Sequence, residues 1–524
     1  MLPLSLAVTR RQCRHLLAHI ASPVRNVTFA VCSLISFASH ADSVLIKNVH
    51  IVGGKQLSAS VLSDVVLRDG KIDKITPANK LVQGKFDQTI DGQRQFLTPG
   101  LIDSHVHLDG VPGYTGKTAE DAPMLQQARE QMPRSYAYFG FTTVLDLTGD
   151  PDFIRQWNQH PAGPQAFYCV PVSIPNGYPA VWLGKELQFQ VPASKVMLYD
   201  PAQPDVYPAH FKKEEHSPAA VVALAKQIGA SCIKVFYETG FGPQKNLPVP
   251  SVELIKAVVE QAKRQQMPVY LHGNSQAAYE FALKTGIDTL VHGMWHETKQ
   301  IEPLSTPSLP SRLPQIAKEI KQAGIAVQPT MQVLYGEQEE MNPAFFEQTM
   351  VAEAIPADLI TWYQSAAGAW MKNMLAEQVE IPHSTPDARY QAFKTMYQKP
   401  LAVVRNMTAQ LHREGATLQF GSDTPSGPFY TQFPGMNGRW EMDRWLEAGM
   451  SLAELFSAMT IANARALKLE DRIGSVEVGK QADLLLMKSN PLKTMKAYDQ
   501  ISHVILRGKA FERSSLSARR LPGL

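Results

Sequence analysis

Residues 97 to 109 read LTPGLIDSHVHLD, an apolar run that closes on His105-Val106-His107. In a β-strand alternate side chains share a face, so His105 and His107 point one way while Ile102 and Val106 point the other. That geometry suits two ligands on one metal, because imidazole nitrogens bind zinc at about 2.0 to 2.1 Å and a cation at the strand's end can take both rings. The competing reading is a hydrogen-bonded polar pair. Whether the rest of the chain supplies further ligands decides between them.

On the N-terminal side, Ser43 to about Gln95 alternates short strands with turns, SVLIKNVHIV and then DVVLRDGKIDKI. Asp69-Gly70 between two alternating runs is a hairpin signal, since both turn positions need positive φ. A similar pattern returns in ADLLLMKSNPL and ISHVILRGKAF, residues 482 to 492 and 501 to 511. Two strand-rich pieces flanking a long central block predict one small β-sandwich built from both termini. The expected division is β-sandwich over 42–96, a barrel over 97–470 and the second part of the sandwich over 471–524.

The central block alternates short apolar runs with helical patterns, the signature of parallel β/α units. After the His-x-His strand come TTVLDLTG from Thr142, AFYCVPVS from Ala166, CIKVFYE from Cys232, VYLHGN from Val269, TLVHG from Thr289, IAVQPT from Ile325 and LQFGSD from Leu418. Eight candidates make a (β/α)8 TIM barrel the expected fold. Segments such as SVELIKAVVEQAKRQ carry the spacing of a crossover helix. The span of about 331–417 is too long for one crossover and contains Phe345, Phe346, Trp362, Tyr363, Trp370 and Met371. It reads as a helical insertion, either over the barrel mouth or simply packed on the core.

Length and composition allow this. The chain has 524 residues and 44% hydrophobic content, enough for one large domain with additions. Residues 1–41 carry Arg10, Arg11, Arg14 and Arg25 and no acidic residue, then an apolar stretch from Val27 to Phe37 and the small-x-small site Ser39-His40-Ala41. This reads as a secretory signal peptide, with an organelle transit peptide or a twin-arginine signal as alternatives. A periplasmic or secreted protein is expected. Without those four arginines the Lys+Arg to Asp+Glu balance is 47 against 48, a net charge of −1. That is no design for nucleic acid or anionic membranes. No apolar stretch of transmembrane length follows. Beyond residue 41 the cysteines are Cys169 and Cys232, both in apolar runs, where buried thiols are the default expectation and a disulfide or nucleophile the minority one.

In a parallel barrel, chemistry sits at the C-terminal ends of the strands. There the sequence places Lys234 between Ile233 and Val235, His272-Gly273, His292-Gly293 and Gly421-Ser422-Asp423. A lysine in a buried strand needs a partner or a modification, because burying an ammonium is costly. Its bland explanation is a salt bridge to Asp103, Asp146 or Asp423. Each of His272, His292 and Asp423 taken singly is explicable as a satisfied polar group. The ordered recurrence of His105, His107, Lys234, His272, His292 and Asp423 on strands 1, 4, 5, 6 and 8 is not.

These residues resemble the amidohydrolase superfamily of metal-dependent hydrolases. Pro99 through His107 matches its PG-x-x-D-x-H-x-H strand, and GKQADLLLMKSNPL resembles its closing strand. The likeness is nearest to the imidazolonepropionase-like and prolidase-like group of the binuclear branch. It implies two divalent metals, expected to be Zn2+, bridged by a carbamate on Lys234. His105, His107 and Asp423 would hold the buried metal, and His272 and His292 the more exposed one. It also implies a metal-bridging hydroxide that attacks an amide-type C–N bond, with Asp423 as general base and then general acid. Mononuclear deaminases resemble the chain less, since they place a Glu where Ser275 stands. Tyr237, in the loop after Lys234, is a candidate substrate contact. No arginine stands out as a carboxylate clamp, a departure from those prolidase-like relatives that read a substrate carboxylate.

The implied substrate is a small molecule or a peptide-like compound, and homo-oligomerisation is compatible with the sequence. A lactonase, esterase or phosphotriesterase on the same site is the alternative enzyme, because the same hydroxide attacks any of these. A catalytically dead scaffold is the alternative of another class, though such relatives typically lose metal ligands.

Overall fold

The computed structural model of the chain describes residues 43–54, 57–78, 80, 82–115, 121–240, 244–295, 309, 312–377 and 385–521. The expected signal peptide lies outside them. The strands before the His-x-His motif are β1 (Ser43–Ile51), β2 (Leu62–Arg68), β3 (Lys71–Pro77), β4 (Gln88–Asp91) and β5 (Phe96–Pro99). Asp69 and Gly70 adopt φ of 52° and 74°. They set Arg68 opposite Lys71 in an antiparallel pair, the hairpin their residue types dictate.

The expected union of the two termini is present as a single sheet of eight strands. The far end of the chain supplies β13 (Leu484–Met487), β14 (Ile501–Leu506) and β15 (Lys509–Glu512). The strand order is β15-β14-β13-β5-β1-β2-β3, with β4 paired to β1. Beyond β3 the sheet curls back, since Lys71 bridges Gln481 and Ile72 N–H donates to Lys480 O at 2.9 Å. Alternate residues of β1, β2 and β13, among them Val44, Ile46, Val65, Leu67, Leu484 and Leu486, form a core of their own.

Gly100 carries the chain from this sheet into a second. A Cβ at this position would sit 2.0 Å from the Thr142 hydroxyl, so only glycine lets the strands come this close. The second sheet begins with β6 (Leu101–Val106) and continues through β7 (Phe141–Asp146), β8 (Gln165–Pro171), β9 (Cys232–Phe236), β10 (Val269–His272), β11 (Thr289–Val291) and β12 (Ala326–Gln328). All seven strands are parallel, in sequence order. The expected eighth run is not a full ladder strand. Its backbone bonds to both edges: Gln419 N–H donates to Val327 O at 2.9 Å, Ser104 N–H to Phe420 O at 3.2 Å and Asp423 N–H to His105 O at 2.8 Å.

The crossover helices follow from local signals. Val252–Arg264 is capped by Ser251 and buries Ile255, Val258 and Ala262, one stripe of a helical surface. Gln276–Thr285 is capped by Ser275 and stops at Gly286 in the left-handed conformation. The span after β12 is helical, as expected: Gln332–Glu339, Thr349–Ala354, Ala357–Gln364, Trp370–Glu377 and Pro386–Arg413. It docks on the loop leaving β6, where Tyr363 O–H bonds Pro112 O and Trp370 Nε1 donates to Gly113 O at 2.9 Å. Among the described residues, no helix is long and apolar enough to cross a membrane.

The two cysteines correct the default expectation of free thiols. Cys169 and Cys232 stand opposite each other on β8 and β9 and form a disulfide, with Cα atoms 4.4 Å apart. The bond is enclosed by Leu145, Leu147, Tyr270 and Val291.

Candidate metal centre

The parallel strands bring the predicted ligands to one end of the second sheet. His105 is buried at the end of β6 and His107 is one residue beyond it. The His105 Nε2 and His107 Nε2 atoms lie 3.0 Å and 3.2 Å from the same Asp423 oxygen. One ligand atom from each of these three residues falls within 4.8 Å of the others. Next to them, His272 Nδ1 and His292 Nε2 are 2.9 Å apart, and the His105 and His292 rings are 5.1 Å apart between centroids. The two groups of imidazoles therefore share one space.

The second ring nitrogen of three of these histidines also has a neighbour. Thr148 Oγ1 lies 2.7 Å from His107 Nδ1, Thr330 Oγ1 lies 3.1 Å from His292 Nδ1, and Glu238 Oε2 lies 3.3 Å from His272 Nε2. Among the described residues, His105 Nδ1 is buried without a hydrogen-bond partner. His292 and Asp423 both take left-handed backbone conformations, with φ of 86° and 54°. Such conformations are strained for residues with a Cβ and are tolerated where the surroundings enforce them.

Lys234 is buried on β9, and its charge is felt by His105, His107 and His292. Burial pushes its ammonium down to about 7, with the Asp423 charge opposing. Among the described residues it forms none of the salt bridges its sequence position allows with Asp103, Asp146 or Asp423. Burial also takes His105 down to about 3 and His292 well below the usual range. His107 runs the other way: burial is outweighed by its bond to Asp423 and by the charges of Asp423 and Asp146. Asp423 is itself held far below the carboxylate range, because the neighbouring histidines more than offset its burial. The resting centre is thus an ionised carboxylate among imidazoles, two of them biased to neutral. Neutral imidazoles and carboxylates are the forms that bind metal.

Asp103, on β6 with His105, is buried and pushed up to about 7, its loss of solvent outweighing its hydrogen bonds. It accepts from Ser422 N–H at 3.0 Å and from the Ser422 hydroxyl at 2.5 Å. The motif's aspartate therefore fastens the first strand to the segment that carries Asp423.

Five of the residues named from the sequence, His105, His107, His272, His292 and Asp423, thus stand together, and the sixth, Lys234, is buried on β9 with its charge acting on His105, His107 and His292. The Tyr237 ring lies 4.7 Å from Phe281 on the flanking helix, and its backbone N–H donates to His272 O at 2.9 Å. Aromatic neighbours of the centre among the described residues include Tyr178, with its ring 4.8 Å from His272, and Trp295, with its ring 4.7 Å from His292. Sequence reasoning did not single out Glu238, Thr148, Thr330, Tyr178 or Trp295. For the two threonines a position at a strand's C-terminal end was the available signal; Tyr178 gave none.

The sequence profile of the amidohydrolase family matches residues 96–511. The chain belongs to that family. Solved structures of the same fold include a Xaa-Pro dipeptidase with bound methionine in the active site, with 20% identity, coverage of 90% of this chain and 100% of that one, and a TM-score of 0.59. Molinate hydrolase superposes over 91% of this chain and 96% of its own, with 16% identity and a TM-score of 0.61. The A. niger ochratoxinase does so over 90% and 96%, with 20% identity and a TM-score of 0.57. At these identities the likeness is one of fold. Among curated proteins, the dihydroorotases of Clostridioides difficile (strain 630) and Pediococcus pentosaceus are 36% and 34% identical over 109 and 104 residues. The chain spans 21% of the length of each.

Proposed function

We propose that the chain is a metal-dependent hydrolase that cleaves an amide-type C–N bond in a small-molecule or peptide-like substrate. The observation that carries this is the convergence of imidazole nitrogens from His105 and His107 on one Asp423 oxygen, beside the His272–His292 pair and a buried Lys234. The donor set fits divalent metals. Its members are histidine-rich and buried apart from the half-buried His107, and inward nitrogens lie 2.9 to 3.2 Å from a neighbouring ligand atom. His105, His107 and Asp423 would hold one metal, His272 and His292 a second, and a carbamate on Lys234 both. When bound, such ions lower the pKa of water towards about 7 and polarise a carbonyl.

The chain's own residues account for the remaining chemistry. Lys234, brought down to about 7, has a substantial neutral fraction near pH 7. A neutral amine can form an N–C bond to carbon dioxide with loss of a proton. Asp423, ionised and pinned by two imidazoles, accepts a proton from the attacking water and passes it to the leaving nitrogen as the C–N bond breaks. Tyr178 and Trp295 flank the histidines with aromatic surface, which favours a substrate with an apolar group.

The same reading takes residues 418–423 as the eighth strand of a closed barrel, and the eight-stranded sheet as the composite β-sandwich. It places the protein in the periplasm or outside the cell. Residues 1–41 read as a secretory leader, and a disulfide persists in an oxidising compartment. The names of two solved relatives, a Xaa-Pro dipeptidase and molinate hydrolase, support a search that begins with dipeptides and amide-like compounds.

Metal content per chain, measured on protein purified without chelators and again on Lys234→Ala, tests the reading. Close to two metals in the native chain, falling sharply in the variant, supports it. One metal unaffected by the substitution refutes the bridging role of Lys234. No metal after growth in zinc-supplemented medium refutes the reading altogether and returns the scaffold alternative. Turnover of lactones or phosphotriesters but of no amide would keep the site and replace the substrate class.

A further inference from the structure

We propose that Glu238 is the positioning residue that fixes His272 as a ligand of the second metal; the inference rests on the metal-dependent reading above. Glu238 lies two residues beyond β9, and its side chain is 2% exposed. Its two oxygens have different tasks. Oε1 accepts the Gly240 backbone N–H at 2.8 Å, which ties the carboxylate to its own loop. Gly240 has a φ of 145°, and a Cβ there would meet Gln244 O at 2.1 Å, so the clamp depends on glycine at this turn. Oε2 lies 3.3 Å from His272 Nε2.

The nitrogen that Glu238 touches decides its role. His272 Nδ1 is the atom that faces His292 Nε2 across 2.9 Å, and Glu238 engages the opposite nitrogen of the ring. It stands behind the ligand, outside the space the ligands share. A carboxylate accepts only from a protonated nitrogen, so the contact places the imidazole proton on Nε2 and leaves the Nδ1 lone pair inward. The ring's rotation is restricted from its faces too, by Tyr178 at 4.8 Å and Phe236 at 6.0 Å between centroids. On His292 Nδ1 and His107 Nδ1 the nearest partners are threonine hydroxyls at 3.1 Å and 2.7 Å, with carboxylates of Asp423 and Asp146 further off at 3.6 Å and 3.8 Å. A carboxyl partner behind a ligating imidazole orients the ring and tunes its basicity, and loss of such a partner typically costs 10- to 100-fold in metal affinity.

The test compares the full chain with Glu238→Gln and His272→Ala, loaded with zinc and then titrated with a chromogenic zinc chelator. Each protein is also melted, followed by circular dichroism, after its zinc has been stripped. His272→Ala identifies which zinc depends on that ring. The expected result for Glu238→Gln is a 10- to 100-fold loss of affinity for that same zinc, with the other zinc and the melting of the stripped chain unchanged. Native affinity for both ions overturns the positioning role. So does loss of both ions with a lower melting temperature of the stripped chain, which would make Glu238 part of the fold. A native chain that binds no zinc or other divalent ion overturns the metal-dependent reading itself, a result distinct from either.

Discussion

Breaking the Cys169–Cys232 bond tests both the fold and the compartment. The two residues are 63 positions apart in sequence and fully buried. In the chain-entropy description, a crosslink closing a loop of that length removes about 14 cal/mol/K from the unfolded ensemble, or about 4 kcal/mol at 25 °C. That is roughly a thousandfold in the unfolding equilibrium. Because both sulfurs are sealed beneath Leu145, Tyr270 and Val291, a reductant reaches them only after the strands part. Reductant should therefore lower the urea midpoint while leaving the near-ultraviolet spectrum of the folded protein unchanged. The assay is a pair of urea unfolding curves, with and without reductant, accompanied by peptide mapping of the non-reduced protein. Coincident curves, or a map in which the Cys169 and Cys232 peptides run separately, would refute the argument. The bond matters to the site because Cys232 precedes Lys234 by two residues on one face of β9, and Pro171 stands opposite Lys234 in the register the disulfide secures.

Two further outcomes follow from individual side chains. Asp423→Asn keeps the shape of the side chain but cannot take up a proton, so turnover of any amide the native chain hydrolyses should fall by about 10²- to 10⁴-fold; turnover within a few-fold of native would remove Asp423 from proton transfer. Glu441, buried on the helix Met436–Glu447, is pushed up to about 8 by burial against its hydrogen bonds. The folded state therefore holds this proton more tightly than the unfolded chain, so Glu441's contribution is present below about pH 4.5 and is lost as pH rises through about 8. The full loss is on the order of 5 kcal/mol. Urea midpoints should decline over that window, and less steeply in Glu441→Gln; equal slopes in the two proteins would show that Glu441 does not titrate there.

What was legible in the sequence was what a single strand or turn encodes. The period of two put His105 and His107 on one face, and Asp69-Gly70 set a hairpin. Lys234 stood out because a charge interrupted an apolar run. Pairings between strands were not legible, because register is fixed by packing and not by spacing. Glu238 and His272 are 34 residues apart, and Cys169 and Cys232 are 63. The eighth run shows where strand reasoning reached its limit. Its position was readable from LQFGSD, but not its departure from a regular ladder. Gly421 approaches β6 so closely that a Cβ would fall 2.7 Å from His105 Cβ, and Asp423 then turns to a positive φ. That irregularity is what brings an Asp423 oxygen within 3.0 Å of His105. The local rule fails at the residue the chemistry needs, as expected where a site imposes its own geometry on the backbone.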